Sequence, residues 1–232
     1  MKKLILLHGL LGSRDQFEKL EQLLQQDFEV YTLNFSGHGL SEFYFPEFSA
    51  EAFADQVISF LDSRQIDKAS LFGYGLGGYV SLYLARYFSD RVGCVMTFAT
   101  QLEWNPDKAA EETKLLNAEV LEQRYPDFTN QLSERHGEKK WKLLIEKSHR
   151  LLTGLGDEAA LNDEDFRGML HPVRLCVGDR DKLLPITEQQ AVLQLLKNGS
   201  LSVFPQTRHT WESVDLHRLA EEMKSFFGKN EI

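Results

Sequence analysis

Gly75 stands where the sequence around it calls for a nucleophile. The stretch Ser70-Leu71-Phe72-Gly73-Tyr74-Gly75-Leu76-Gly77-Gly78-Tyr79-Val80 reads as a short apolar strand, a glycine-rich turn and an amphipathic helix. That is the layout of a nucleophile elbow, G-x-S-x-G, with glycine at the serine position. Two further signals lie downstream. Gly178-Asp179-Arg180-Asp181 places two carboxylates in one loop, with Pro185 beyond it. Thr207-Arg208-His209-Thr210-Trp211-Glu212 supplies an imidazole near the end. An imidazole steadied by a carboxylate can take up and return a proton, which is the chemistry of acyl transfer or of proton abstraction. Taken singly, each signal has a plain counterpart: Asp-Arg-Asp is usually a turn, and a late His beside Trp is usually surface or core. Without a hydroxyl at position 75 no covalent acyl intermediate forms there. Losing such a nucleophile costs on the order of 10⁶ in kcat. Ser70 and Ser81 are no substitutes, because neither occupies the turn.

The elements that must position these residues alternate from the start. Lys3–Leu7 is an apolar run ending in His-Gly and reads as a buried strand. A helix comes next, with Phe17, Leu20, Leu23 and Leu24 on one face. Val30–Asn34 is a second strand, and Ser49 caps a helix that groups Phe53, Val57, Phe60 and Leu61. Ala69–Phe72 is the third strand, Tyr79–Phe88 the helix after the turn, and Val92–Phe98 the fourth strand. From Gln101 to Leu170 only helical patterns remain, clearest over Glu138–Leu152. Alternation resumes with strand Val173–Val177, helix Ile186–Leu196, strand Leu201–Phe204 and a last helix bearing Leu216, Leu219, Ala220, Met223, Phe226 and Phe227 on one stripe. This order predicts an α/β fold: a mainly parallel sheet of about six strands with helices on both faces. Residues 1–100 and 171–232 form its core, and 101–170 are a helical insertion. Sites in such sheets gather at the carboxyl ends of the strands, so the loop leaving each strand is where chemistry belongs.

Composition narrows the classes of function. The chain has 232 residues, 42% hydrophobic and 26% charged, with a formal net charge of -9. That balance disfavours nucleic acid and anionic membranes as partners. Lys2-Lys3 and Lys139-Lys140 are the longest basic runs and read as solvated surface. No segment reaches the ~18 apolar residues of a membrane span, and Leu4–Leu7 is too short for a signal peptide. Cys94 and Cys176 fall in buried strands and read as small core residues. These features point to a cytoplasmic protein. His136, His149, His171 and His217 show no metal-ligand spacing, so no metal is expected. Gly73, Gly75 and Gly78 also satisfy G-x-G-x-x-G, with Glu103 downstream where a ribose-binding acid belongs. We discount a dinucleotide site, because two βα units precede the glycines.

The ordered motifs resemble the α/β-hydrolase superfamily over nearly the whole chain. They are His8-Gly9, Gly37-His38-Gly39-Leu40-Ser41, the glycine turn at 75, the G-x-x-D-x-x-x-P pattern of Gly178–Pro185, and the late His209. Small capped esterases look most similar, including pimeloyl-carrier-protein methyl ester esterases and the menaquinone-pathway synthase. The resemblance implies that His209 is a general base and that Asp181, rather than Asp179, orients it. It implies an oxyanion hole from the backbone N–H groups of Leu10 and Leu76. His8 and His38 then brace loops, and Tyr74, Trp104 and Trp211 are possible pocket walls. The helical insertion becomes a cap, the substrate a small or medium carboxylic ester or thioester, and no cofactor is required. Two departures stand out. The family carries two further strands before the His-Gly strand, and here the serine is glycine. Three explanations are open: a hydrolase stripped of its nucleophile, an enzyme using His209 and Asp181 without serine, or a small-molecule binding protein.

Overall fold

The computed structural model describes residues 1–230. Its strands are β1 (Lys2–Leu7), β2 (Phe28–Thr32), β3 (Ala69–Tyr74), β4 (Val92–Phe98), β5 (Val173–Gly178) and β6 (Gly199–Phe204). They form one six-stranded sheet in the order β2-β1-β3-β4-β5-β6. Every pairing is parallel. All strands therefore end at one edge, and the loops after β1, β3, β5 and β6 meet there. The helices are α1 (Glu18–Leu24), α2 (Ala50–Ser63), α3 (Leu76–Tyr87), α4 (Pro106–Thr113), α5 (Ala118–Arg124), α6 (Pro126–His136), α7 (Trp141–Asp157), α8 (Asp163–Gly168), α9 (Ile186–Leu193) and α10 (Leu216–Lys229). α4 to α8 all lie between β4 and β5, within the span that carries only helical patterns.

Strand periodicity splits the core into two layers. Leu4, Leu6, Phe72, Met96 and Phe98 face one side with Leu20 and Leu24 of α1 and Leu219, Met223 and Phe227 of α10. Ile5, Leu7, Leu71, Val95 and Leu175 face the other, with Phe53 and Val57 of α2 and Val80 and Leu84 of α3. Each fully buried Leu or Phe contributes roughly 1.5–3 kcal/mol, so this layering holds the strand ends in place. Cys94 and Cys176 are buried and unpaired. No helix among the described residues is long and apolar enough to cross a membrane.

Several boundaries depart from the sequence reading. β2 begins two residues earlier, at Phe28, because Phe28 itself packs against Phe227 with ring centroids 6.2 Å apart. α3 starts at Leu76, so it includes Gly77 and Gly78. Glycine is a poor helix former, but here the helix must lie against β1 and only glycine fits. α7 starts at Trp141, after the turn at Gly137, and continues to Asp157 because Leu155 extends its buried face. α9 stops at Leu193, and a turn carries the chain from there toward β6. Ser49 does cap α2, its Oγ accepting from Ala52 N–H at 3.1 Å. The basic runs are not simply solvated. Lys2 Nζ donates to the carbonyls of Phe227, Gly228 and Asn230 at 2.9–3.0 Å, closing the C-terminal end of α10, where a cation suits the helix dipole. Lys140 Nζ donates to Ser41 O at 2.9 Å.

Candidate active site

The turn after β3 has the backbone of a sharp elbow. Gly75 has φ 54° and ψ -121°, immediately before α3. That region favours glycine over any L side chain. Space is a separate matter. A Cβ on Gly73 would come within 2.2 Å of Gly77 backbone, on Gly77 within 2.2 Å of Leu7 O, and on Gly78 within 2.0 Å of Thr100 Oγ1. On Gly75 it would meet nothing nearer than Gly9 Cα at 3.5 Å, an ordinary contact. Position 75 is thus the one place in the turn with room for a side chain. Ser81 Oγ is already committed to Gly77 O at 2.7 Å, and Ser70 Oγ lies 3.2 Å from Cys94 Sγ.

The loops after β5 and β6 bring Asp181 and His209 together. His209 Nδ1 lies 2.9 Å from Asp181 Oδ2. The Asp181 side chain is fully shielded from solvent, whereas that of His209 is 33% exposed. Asp181 Oδ1 also accepts from Leu183 N–H at 2.9 Å and Leu184 N–H at 3.0 Å. Burial acts to raise the Asp181 carboxyl, but the hydrogen bonds from His209 and these two amides outweigh it and hold the group below its ordinary value. It is therefore a carboxylate, so Nδ1 of His209 carries the proton it donates. Nε2 of His209 has no partner among the described residues. Asp179 does other work: its Oδ1 accepts from Thr207 N–H at 3.2 Å and ties the β5 loop to the loop after β6.

Neighbouring rings fix the histidine loop. Tyr74 Oη donates to His209 O at 2.5 Å. Its ring stands edge-on to Trp211 at 5.2 Å, and Trp211 Nε1 donates to Gln16 O at 3.0 Å. Phe17 stacks edge-on beneath Trp211 at 5.1 Å. Burial pushes the Tyr74 hydroxyl far above its ordinary value, so it remains a donor.

A cavity of about 370 Å³ opens at this strand edge. Gly75, His209, Leu10, Leu76, Tyr74, Trp104 and Trp211 all line it, so every pocket residue expected from sequence reaches one space. The N–H groups of Leu10 and Leu76 have no partner among the described residues. The remaining expectations separate. His8 is buried, its Nδ1 donating to Gly9 O at 2.8 Å and its Nε2 accepting from Phe35 N–H at 3.1 Å. His38 Nδ1 donates to Ser36 O at 3.0 Å. Both brace loops and neither lines the cavity. No group of three or more His, Cys, Asp or Glu side chains among the described residues could hold a metal. The glycine turn lies after β3 in the sheet interior rather than after β1, and Glu103 N–H is bound to Glu188.

Among the lining residues that the sequence reading does not place at the cavity are Glu112 of α4, Phe128 and Arg135 of α6, and Leu152 of α7. Glu112 makes no hydrogen bond or ion pair among the described residues. Burial raises its carboxyl above the ordinary value, opposed chiefly by the imidazole of His209. No motif marks these positions. The only signal they carry in sequence is their place on helices facing the strand ends.

The family model for the alpha/beta hydrolase fold matches residues 2–210. Among curated proteins, esterase YbfF of Escherichia coli is 35% identical over 89 residues, covering 38% of this chain and 35% of that protein. The chain thus aligns with only 22–35% of the length of the first curated relatives it matches. The pimeloyl-[acyl-carrier protein] methyl ester esterase of Aliivibrio fischeri is 24% identical over 249 residues, covering 98% of this chain and 94% of the relative. A thermophilic esterase from Thermogutta terrifontis superposes with a TM-score of 0.80 at 18% identity, covering 99% of this chain and 90% of its own; that likeness concerns the fold alone. With a parallel six-stranded sheet, an elbow after β3 and a family match across most of its length, the chain belongs to the alpha/beta hydrolase fold family.

Proposed function

We propose that this protein carries the site of a hydrolase for small or medium carboxylic esters or thioesters, with the nucleophile removed. One observation carries the reading: the His209–Asp181 pair leaves Nε2 free on the same cavity where Gly75 holds an elbow backbone with room for a side chain. In the armed form a serine at 75 attacks the acyl carbon, His209 takes its proton, and Asp181 stabilises the imidazolium. The free N–H groups of Leu10 and Leu76 receive the oxyanion. Residues 101–170 act as a cap that sets substrate choice, with Tyr74, Trp104 and Trp211 as apolar walls. The esterase names of the curated relatives support this class, and the chemistry calls for no cofactor. Two unpaired thiols suit a reducing, cytoplasmic setting.

A second reading, serine-independent proton transfer, is favoured by Glu112. Its raised carboxyl faces the cavity beside His209 and supplies a second proton-transfer group. The deciding experiment is hydrolysis of p-nitrophenyl butyrate by this chain, by Gly75→Ser and by Gly75→Ser with His209→Ala. We expect negligible turnover by this chain, a gain of at least about 10³-fold in Gly75→Ser, and loss of that gain without His209. A folded Gly75→Ser protein with no gain overturns the hydrolase reading and leaves serine-independent proton transfer or small-molecule binding.

A further inference from the structure

α6 grips the loop that carries Leu10. Leu11 has φ 59°, in the left-handed region that a leucine occupies only when its surroundings hold it there. Its carbonyl accepts two hydrogen bonds from α6, one from His136 Nε2 at 2.9 Å and one from Arg135 Nη1 at 3.0 Å. The other ring nitrogen of His136, Nδ1, accepts from Gly39 N–H at 2.8 Å. The amide of Gly39 can only donate, so Nδ1 is bare and the proton sits on Nε2, aimed at Leu11. His136 is completely buried. The turn itself is closed by Gly12 N–H on Gly9 O at 3.0 Å. The turn is thus held from two sides: His8 Nδ1 and Gly12 N–H both donate to Gly9 O, whose peptide carries Leu10 N–H, and α6 holds the next carbonyl but one, Leu11 O, whose peptide carries that Gly12 N–H.

We propose that His136 is a positioning residue for the oxyanion hole: through Leu11 it holds the Gly9–Gly12 turn so that Leu10 N–H points into the cavity. This rests on the proposed role of Leu10 as an oxyanion donor. It also gives α6 a part in the chemistry beyond shaping the pocket. Misplacing a catalytic group by about 1 Å can cost on the order of 10²-fold in rate, and an oxyanion donor's contribution depends on such preorganised distance.

The two arms of His136 can be separated. Glutamine reaches the Nε2 position and keeps a donor for Leu11. Asparagine reaches only the Nδ1 position and keeps an acceptor for Gly39. In the Gly75→Ser background, with p-nitrophenyl butyrate, we expect His136→Asn to lower kcat about 10–100-fold at unchanged KM, and His136→Gln to stay within about threefold. Equal losses in both variants, or no loss in His136→Asn, overturn the proposal. If Gly75→Ser is itself inactive, the hydrolase reading fails and the positioning claim is judged in the chain with Gly75. There, amide NMR of His136→Asn must show faster hydrogen exchange at Gly12 N–H and a shifted Leu10 N–H, both preserved in His136→Gln. Unchanged Leu10 and Gly12 signals in folded His136→Asn overturn it.

Discussion

At the scale of single residues, Gly75 separates two requirements that its neighbours combine. Gly73, Gly77 and Gly78 are glycine because a Cβ would collide with backbone or with Thr100, whereas Gly75 is favoured only by its φ of 54°. A side chain there is accommodated in space but strained in backbone, at roughly 1–3 kcal/mol. Gly75→Ser is therefore expected to fold and to lose about that much stability, read from urea unfolding monitored by fluorescence. A stabilised variant would count against the strained elbow. The same residue shows how much of the site is legible in sequence. Gly75, Asp181 and His209 can be named because each lies just beyond a strand, and parallel strands bring their ends together. Asp179 and Asp181 can be ranked only by resemblance; the structure gives the physical difference, since Asp179 is occupied with Thr207 N–H while Asp181 meets His209. Glu112, Arg135 and His136 are opaque in sequence. They lie on helices whose pattern reports only which face is apolar, and their partners are far away along the chain.

At the scale of elements, the site depends on how closely α3 lies on the sheet. Gly77 sets that approach, because its missing Cβ leaves space for Leu7 O. Gly77→Ala should force α3 off β1 and cost about 3 kcal/mol, the upper end of overpacking costs, since a backbone carbonyl cannot swing aside as a side chain can. Gly154 in α7 is the matching control. A Cβ there meets nothing within 4 Å, so Gly154→Ala should stabilise by roughly 0.5–1 kcal/mol through helix propensity alone. Opposite signs from one substitution type, measured by the shift of the urea midpoint, test the packing directly. Loss of stability at both positions would show that close packing is not what distinguishes them. The Gly77–Leu7 approach also explains why sequence places the start of α3 too late. Two glycines argue against a helix on propensity, and the contact that overrides this lies between α3 and the first strand of the chain.

At the scale of the whole molecule, three buried histidines join the loops after β1 and β2 to α6. His8 and His38 have ring centroids 5.0 Å apart, and His38 and His136 5.9 Å. Burial holds His8 and His136 at about 4 and His38 well below its ordinary value. All three are neutral in the fold at neutral pH, yet protonate near 6.5 when the chain unfolds. Between pH 6.5 and about 4 the unfolded chain binds more protons than the native one, so stability must fall as pH falls through that window and is complete above it. His8 and His136 should each cost roughly 2–3 kcal/mol at pH 4.5, from a gap of about 2.5 pH units. Glu112 works in the opposite direction, because its raised carboxyl takes up its proton earlier in the fold than in the unfolded chain. Asp181 stays out of the window, since its lowered carboxyl loses stability only below the ordinary Asp range. Falling net negative charge also relieves self-repulsion on acidification. The histidines outweigh these terms, because all three are fully shielded from solvent. Urea unfolding at pH 7.5 and 4.5 should then show a drop of several kcal/mol, reduced in His136→Gln because that variant has one imidazole fewer to protonate. Equal stability at the two pH values would mean that the folded cluster accepts protons, and that water reaches the junction between α6 and the sheet.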